Sequence, residues 1–372
     1  MRRTRTRALA GNHGHLAIIA TIWLALFAYA GRPLLIGAAA AGISRGYAWL
    51  TLFVLALTPL LALRKTKVAT WTGYTTLAVF STLFTLVLLS DVARAVYLAA
   101  RWAFDPRATA FAILGAAGVL TLVGLMQAVC PRVQRVTIPI ENLPSDLDGY
   151  RIVQWSDVHV GLTIRRRFVQ QLVDRTNALR ADAIAITGDF VDGPLDELRD
   201  EIAPLDELRA RDGVFYVTGN HEYYWRASEW VAEIESHGVT FLKNEHRVVR
   251  DGLVIAGVTD PVGRDSHKQD PHGALAGAPR DAVKVLLSHR PQTAALASKL
   301  GVDLQLSGHT HGGQFFPFSL FIKYFQPVVA GLHRVGRTWL YVNRGTGYWG
   351  PPSRLGVGGE ITVLELRGRT GS

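Results

Sequence analysis

The chain has 372 residues, enough for two or three domains, and it is 49% hydrophobic and only 19% charged, which excludes a disordered protein and points to contact with a bilayer. Its net charge of +10 is uneven: 14 basic and 2 acidic residues fall in 1–135, leaving 26 basic and 28 acidic in 136–372. The positive excess flanks apolar runs, as headgroup anchors do, so nucleic acid is excluded as a partner, and the single cysteine, Cys130, excludes a disulfide scaffold or a thiolate zinc cluster.

Before residue 135, four uncharged stretches reach the roughly 18–20 residues that a bilayer requires: 8–31, 46–63, 68–90 and 108–131. A shorter apolar run, 33–44, is bounded by Arg32 and Arg45 and reads as re-entrant or interfacial. Arg94 and Arg101, with Tyr97 and Trp102 nearby, predict an interface helix between the third and fourth spans. The first span also carries a signal-peptide pattern, with Arg2, Arg3, Arg5 and Arg7 ahead of a run ending Ala28-Tyr29-Ala30. Cleaved or not, the span count leaves the C-terminal part in the cytoplasm. The positive-inside rule agrees, because the N-terminus, the Arg64-Lys65-Lys67 loop and Arg132/Arg135 hold nine basic residues against five on the other side. A multi-pass protein of the cell membrane follows, with membrane lipids as partners. Its helical domain covers 1–135 and a second domain 136–372; counting 33–44 as a span would reverse the orientation.

From Val136 onward short β-rich runs alternate with helical ones. Strands are predicted over 151–158, 183–187, 214–217, 253–258, 283–287, 303–306, 339–342 and 361–366. Helices are predicted over 165–179, 195–210, 227–236 and 291–300. This alternation predicts an α/β domain whose ligands bind beyond the carboxyl ends of its strands.

The polar residues after those strands carry the chemistry. Ser156-Asp157-Val158-His159 ends the first, and extended backbone would turn Asp157 and His159 to one side. Gly188-Asp189-Phe190-Val191-Asp192, Gly219-Asn220-His221-Glu222, Ser288-His289 and Gly308-His309-Thr310-His311-Gly312-Gly313-Gln314 follow later strands. Each motif alone reads as a turn, a cap or a hydrogen-bonded loop. Together they put five of the twelve histidines, with carboxylates and an amide, at strand ends. Such mixed N and O donors without thiolate suit borderline or harder ions, Mn, Fe or Zn, and there are too many donors for one ion. Two divalent ions bridged by one carboxylate would use them all, as in two-metal phosphoryl transfer.

In this order the motifs D-x-H, G-D-x-x-D, G-N-H-E, H and G-H-x-H resemble those of the calcineurin-like metallophosphoesterase superfamily, over about residues 150–366. The resemblance implies a four-layer αββα sandwich. It implies Asp157, His159 and His311 on one ion, Asn220, His289 and His309 on the other, Asp189 bridging both, and His221 facing the phosphate or leaving group. The Gly-His-Thr-His-Gly-Gly-Gln ending and Val-Asn-Arg-Gly-Thr-Gly over 342–347 are further similar to a membrane-linked bacterial branch that includes enzymes like UDP-2,3-diacylglucosamine pyrophosphatase. The expected function is membrane-anchored hydrolysis of a phosphoester or pyrophosphate in a lipid-linked substrate; the alternative is a membrane scaffold or transporter subunit whose phosphoesterase domain only binds a ligand. Arg344 and Arg354 are open between phosphate contact and structural roles. The segment 315–325, with five of the chain's fifteen phenylalanines, is open between core packing and a membrane-dipping or acyl-binding lip.

Overall fold

The computed structural model describes residues 3–64 and 66–368, with side chains described for residue 15 and from residue 17 onward, so the N-terminal arginines and Lys65 used in the charge count lie outside the described side chains. The chain divides into two compact units, 1–123 and 124–372.

In the first unit, α1 (Arg3–Ala30) is followed by α2 (Arg32–Ala40), α3 (Arg45–Leu57), α4 (Lys67–Ala99) and α5 (Pro106–Val129), the last running past residue 123. Among the described residues, three helical stretches are long and apolar enough to cross a membrane, Arg45–Arg64, Lys67–Ala99 and Pro106–Val129. A fourth is present if α1 and α2, bent by 46° at Gly31, form one span. The run 33–44 is therefore mostly a nine-residue helix continuing α1 after a bend. The predicted separate interface helix is absent: α4 carries Arg94 and Tyr97 within its own 33 residues, because no Gly or Pro interrupts the pattern before Ala99.

The described residues of the second unit hold twelve strands: β1 (Arg132–Ile140), β2 (Arg151–Trp155), β3 (Ala183–Thr187), β4 (Val214–Val217), β5 (Thr240–Phe241), β6 (Glu245–Arg250), β7 (Leu253–Gly257), β8 (Val283–Leu287), β9 (Leu304–Ser307), β10 (Gly331–Val335), β11 (Thr338–Val342) and β12 (Glu360–Gly368). They form two six-stranded sheets, ordered β1-β12-β2-β3-β4-β5 and β10-β11-β9-β8-β7-β6. Central strands are buried on both faces and read as continuous apolar runs, as covered parallel strands must. Alternation then decides which layer each side chain joins. In β3, Ala183 and Ala185 face the second sheet with Leu253, Val285 and Leu306, while Ile184 and Ile186 face outward to helices carrying Val169, Leu172 and Trp230. The outer face of the second sheet is covered in the same way, with Ala274 and Ala297 against Ala256 and Leu286. The result is helix, sheet, sheet, helix, as the sequence implied. β1 pairs in parallel with β12 and starts three residues after the last apolar helix ends. The neighbouring strands β2, β3 and β4 run parallel, and so do β7, β8 and β9, which brings the carboxyl ends within each group to one edge of its sheet.

Candidate metal centre

β2 ends at Trp155, two residues before Asp157, so the first motif lies in a loop and not on the predicted extended strand. Asp157, His159, Asp189, His309 and His311 all have φ between 50° and 71°. Left-handed backbone at five non-glycine residues turns these loops tightly at the strand ends, in place of the extended run expected through Asp157 and His159. The loops hold one another by backbone pairing: Asp157 N–H donates to Gly188 O (3.0 Å), His159 N–H to Asp189 O (3.1 Å), and Gly347 N–H to Asp157 O (3.1 Å). Gly308 is required by close approach, since a Cβ there would overlap Ser156 Oγ and Asp157 Oδ2.

Two donor groups result, joined by a third that overlaps both, His159, Asp189 and His221. In one, His311 Nε2 lies 3.3 Å from Asp157 Oδ1 and 3.1 Å from His159 Nε2. In the other, His289 Nε2 lies 3.2 Å from Asp189 Oδ2 and 3.1 Å from His309 Nδ1. Asp189 stands between them, with His159 Nε2 4.0 Å from its Oδ2. Asn220 is buried beside this centre at the start of a five-residue helix. All eight residues singled out in the sequence therefore belong to one cluster of loops.

The donors fit divalent cations. Burial holds His159 down to about 4 and His309 down to about 3, so both present neutral rings. Burial opposes charge on His289 as well, but the Asp189 carboxylate outweighs it and raises this ring to about 10. Asp189 is pulled far below the usual carboxylate range, burial notwithstanding, by the His289 charge and hydrogen bond. The pocket is thus built to hold positive charge against Asp189. Asn220 Oδ1 is buried without any hydrogen-bond donor, and the neutral His159 and His311 rings face each other through Nε2; a cation would satisfy these acceptors and take the place of the His289 proton beside Asp189. His289 Nδ1 lies 2.9 Å from Thr187 O, a hydrogen bond that leaves Nε2 free to ligate.

A model of the calcineurin-like phosphoesterase family matches residues 150–313. A transmembrane protein with metallophosphoesterase domain from Danio rerio is 38% identical over 264 residues, covering 67% of this chain and 60% of that protein, and its Bos taurus counterpart is 39% identical over 267 residues with the same coverage. A metallophosphoesterase from Aquifex aeolicus is 31% identical over 243 residues, 64% of this chain and 92% of its own length. The chain belongs to the calcineurin-like phosphoesterase family. It spans about 60% of the length of its two vertebrate relatives.

Within this family fold, Asp192 and Glu222 matter although the motifs gave them no role, and Arg354, open between phosphate contact and a structural role, takes the structural one. Asp192 lies in the quoted G-D-x-x-D motif; its Oδ1 is 2.9 Å from His221 Nδ1 and accepts Trp225 Nε1–H at 3.2 Å. Burial disfavours a charged His221, yet that hydrogen bond and the Asp189 and Asp192 charges leave its pKa raised. Glu222 is fully buried, and its carboxylate accepts four backbone N–H groups, those of Asp189 (3.1 Å), Phe190 (2.7 Å), Val191 (3.3 Å) and Gly219 (2.6 Å). Arg354 is fully buried, so it is structural and not a phosphate contact: it donates to Gly347 O and His311 O, both at 2.9 Å, and to Arg344 O. Arg344 is half exposed beside Gly312. Core packing does not explain the Phe-rich segment, because Phe318, Phe321 and Phe325 are exposed at 59%, 54% and 77%.

Glu222→Gln replaces an acceptor with a donor facing N–H groups, and each buried donor left unpaired costs about 1–3 kcal/mol. The full chain carrying it should melt several degrees lower and retain less than half the wild-type metal, as read by thermal unfolding and elemental analysis. Wild-type values for both would remove Glu222 from this role.

Proposed function

We propose that this chain is a membrane-anchored two-metal phosphoesterase that cleaves a phosphoester or pyrophosphate bond in a lipid-linked substrate. The observation that carries the reading is that Asp189 belongs to two donor groups, one with His289 and His309 and one with His159 and His221, with Asp157/His159/His311 as a third group that shares His159. Two divalent ions of the Mn, Fe or Zn type, when bound, supply an activated water and neutralise charge on the phosphoryl oxygens. The chain's own residues do the rest. Asp157, His159 and Asp189, only 0%, 3% and 2% exposed, keep bulk water from competing for the ions. Asp192 fixes the His221 ring through Nδ1, leaving Nε2 to face the substrate, and its carboxylate favours the protonated ring. His221 then gives a proton to the leaving oxygen as the P–O bond breaks and the water oxygen bonds to phosphorus. Half-exposed Arg344 is available to the phosphate from the rim.

Two further features support the membrane part of the reading. The relatives from Danio rerio and Bos taurus are named as transmembrane proteins, and only two residues separate α5 from β1. A tether this short raises the effective concentration of the site toward lipid headgroups with no new contact. We place the phosphoesterase unit in the cytoplasm, on the nine-to-five distribution of basic residues and on α1 with α2 serving as one bent span. A reporter fused to the C-terminus should be active only in its cytoplasmic form; activity restricted to the outer side reverses the placement.

The substrate reading is tested by kcat/KM for a diacylated glycerophosphodiester and its deacylated counterpart, with the full chain in mixed micelles. At least a tenfold preference for the diacylated compound is expected, and His221→Ala should lower turnover of both by about 10²-fold or more while metal content stays near wild type. Equal values for the two substrates would contradict a lipid-linked substrate, and loss of both ions in His221→Ala would make that residue a ligand.

A further inference from the structure

After His311 the chain makes a short helix, Phe318–Phe321, and a turn, Ile322–Tyr324. Phe318, Leu320, Phe321, Tyr324 and Phe325 are all more than half exposed. Five large apolar side chains in eight residues, unpartnered in water, need an occupant. Lys323 lies among them with Nζ 5.4 Å from the centre of the Tyr324 ring, an aromatic and lysine mixture of the kind that sits at headgroup level.

The root of this segment shows which way it faces. Phe316 N–H donates to Leu355 O (3.1 Å). Residues around Leu355 bind the end of the last apolar helix: Arg354 N–H donates to Gly124 O (3.0 Å), Gly356 N–H to Gln127 Oε1 (3.2 Å), and Gly359 N–H to Gln127 O (3.4 Å). Gly124 must lack a side chain here, because a Cβ would stand 2.6 Å from Ser353 Oγ. Arg354 also grips His311 O, so the end of the apolar helix, the Phe-rich segment and a metal-centre loop form one hydrogen-bonded body within the second unit. Met126 on that helix end is half exposed and apolar, while Arg132 and Arg135, immediately beyond it, are exposed cations. The segment therefore continues the surface where an apolar helix turns into a basic collar. Closer to the centre, Trp349 and Tyr224, 54% and 61% exposed, stand against the His221 ring at 5.8 Å and 5.1 Å, and Trp349 is held by a pair of hydrogen bonds to the Gln314 side chain. Exposed aromatics thus line the way from the Phe-rich segment to the catalytic histidine.

We propose that residues 318–325 are a bilayer-docking lip, which dips into the headgroup and acyl boundary of the membrane that the chain's own helices occupy. The lip holds the mouth of the metal centre at headgroup depth. A phosphoester in a lipid headgroup then reaches the ions while its acyl chains stay in the membrane. This goes beyond the substrate reading above, since docking requires no particular substrate.

Depth can be measured without turnover. In a Cys130→Ser background of the full chain, Phe321→Cys and, as a solvent reference on an edge strand, Val248→Cys are each labelled with a nitroxide and reconstituted in nanodiscs of phosphatidylcholine and phosphatidylglycerol. Collision with oxygen and with a water-soluble nickel chelate is then compared. The oxygen-to-nickel ratio at position 321 should exceed that at 248 at least threefold; Phe325→Cys gives a second reading should the first variant fail to fold. Equal ratios at the lip positions and at 248 would overturn the proposal. So would spin-spin broadening at 321 with both collision rates low, which would assign the face to a second copy of the chain. A lip at membrane depth in a protein that shows no diacyl preference would leave docking standing and remove only the lipid-linked substrate.

Discussion

Much of the metal centre depends on one buried carboxylate that touches no substrate. Glu222 collects the N–H groups of Asp189, Phe190 and Val191 from the loop after β3 and of Gly219 from the loop after β4. Without it these amides would be buried and unpaired. With it, the two loops are locked in the register that points Asp189 toward His289 and lets His221 N–H donate to Asp189 Oδ1 at 2.8 Å. The same short helix therefore carries the proposed amide ligand, the proposed acid and the clamp, in Asn220, His221 and Glu222.

Holding the loops this way stores strain. Left-handed backbone at Asp157, His159, Asp189, His309 and His311 costs about 1–3 kcal/mol each. That cost persists only because the fold beneath it is over-determined. Both faces of the central strands are packed, and the loops are pinned to each other and to the 343–347 segment through Asn343 N–H to Ser307 O and Thr346 N–H to Ser156 O. The glycines of 342–347 belong to this pinning: Gly345 sits at φ 92° against the buried Arg354 guanidinium. The segment thus braces the metal loops from behind, and Arg354 carries the brace on to the lip and to the end of the apolar helix.

The sequence revealed the strands that are buried on both sides, because continuous apolar runs ending in Gly-Asp, Gly-Asn or Ser-His are unambiguous punctuation. β3, β4 and β8 lie at their predicted bounds. It hid β6, Glu245–Arg250, whose edge position leaves both faces partly wet, and β10, Gly331–Val335, for the same reason. β1 was hidden differently: its arginines resemble a membrane collar, and only its parallel pairing with β12 makes it a strand. Among site residues, each side chain that the fold brings into the cluster was legible from its motif, whereas the way they converge was not. Extended backbone was expected at Asp157 and His159, and local sequence does not encode the left-handed turns that tertiary pairing imposes. The roles of Asp192 and Glu222, and the choice between the two open roles of Arg354, were beyond reach for a related reason, since their work is done through partners at least 29 residues away in sequence or through backbone atoms.

A two-metal centre of this kind requires Asp189 to serve two ions at once. Elemental analysis of the purified full chain, saturated with Mn and freed of loose metal, should give about two ions per chain in wild type. Asp189→Ala should retain fewer than one and lose hydrolysis of a soluble aryl phosphodiester. Two ions and undiminished turnover in Asp189→Ala would contradict the shared centre.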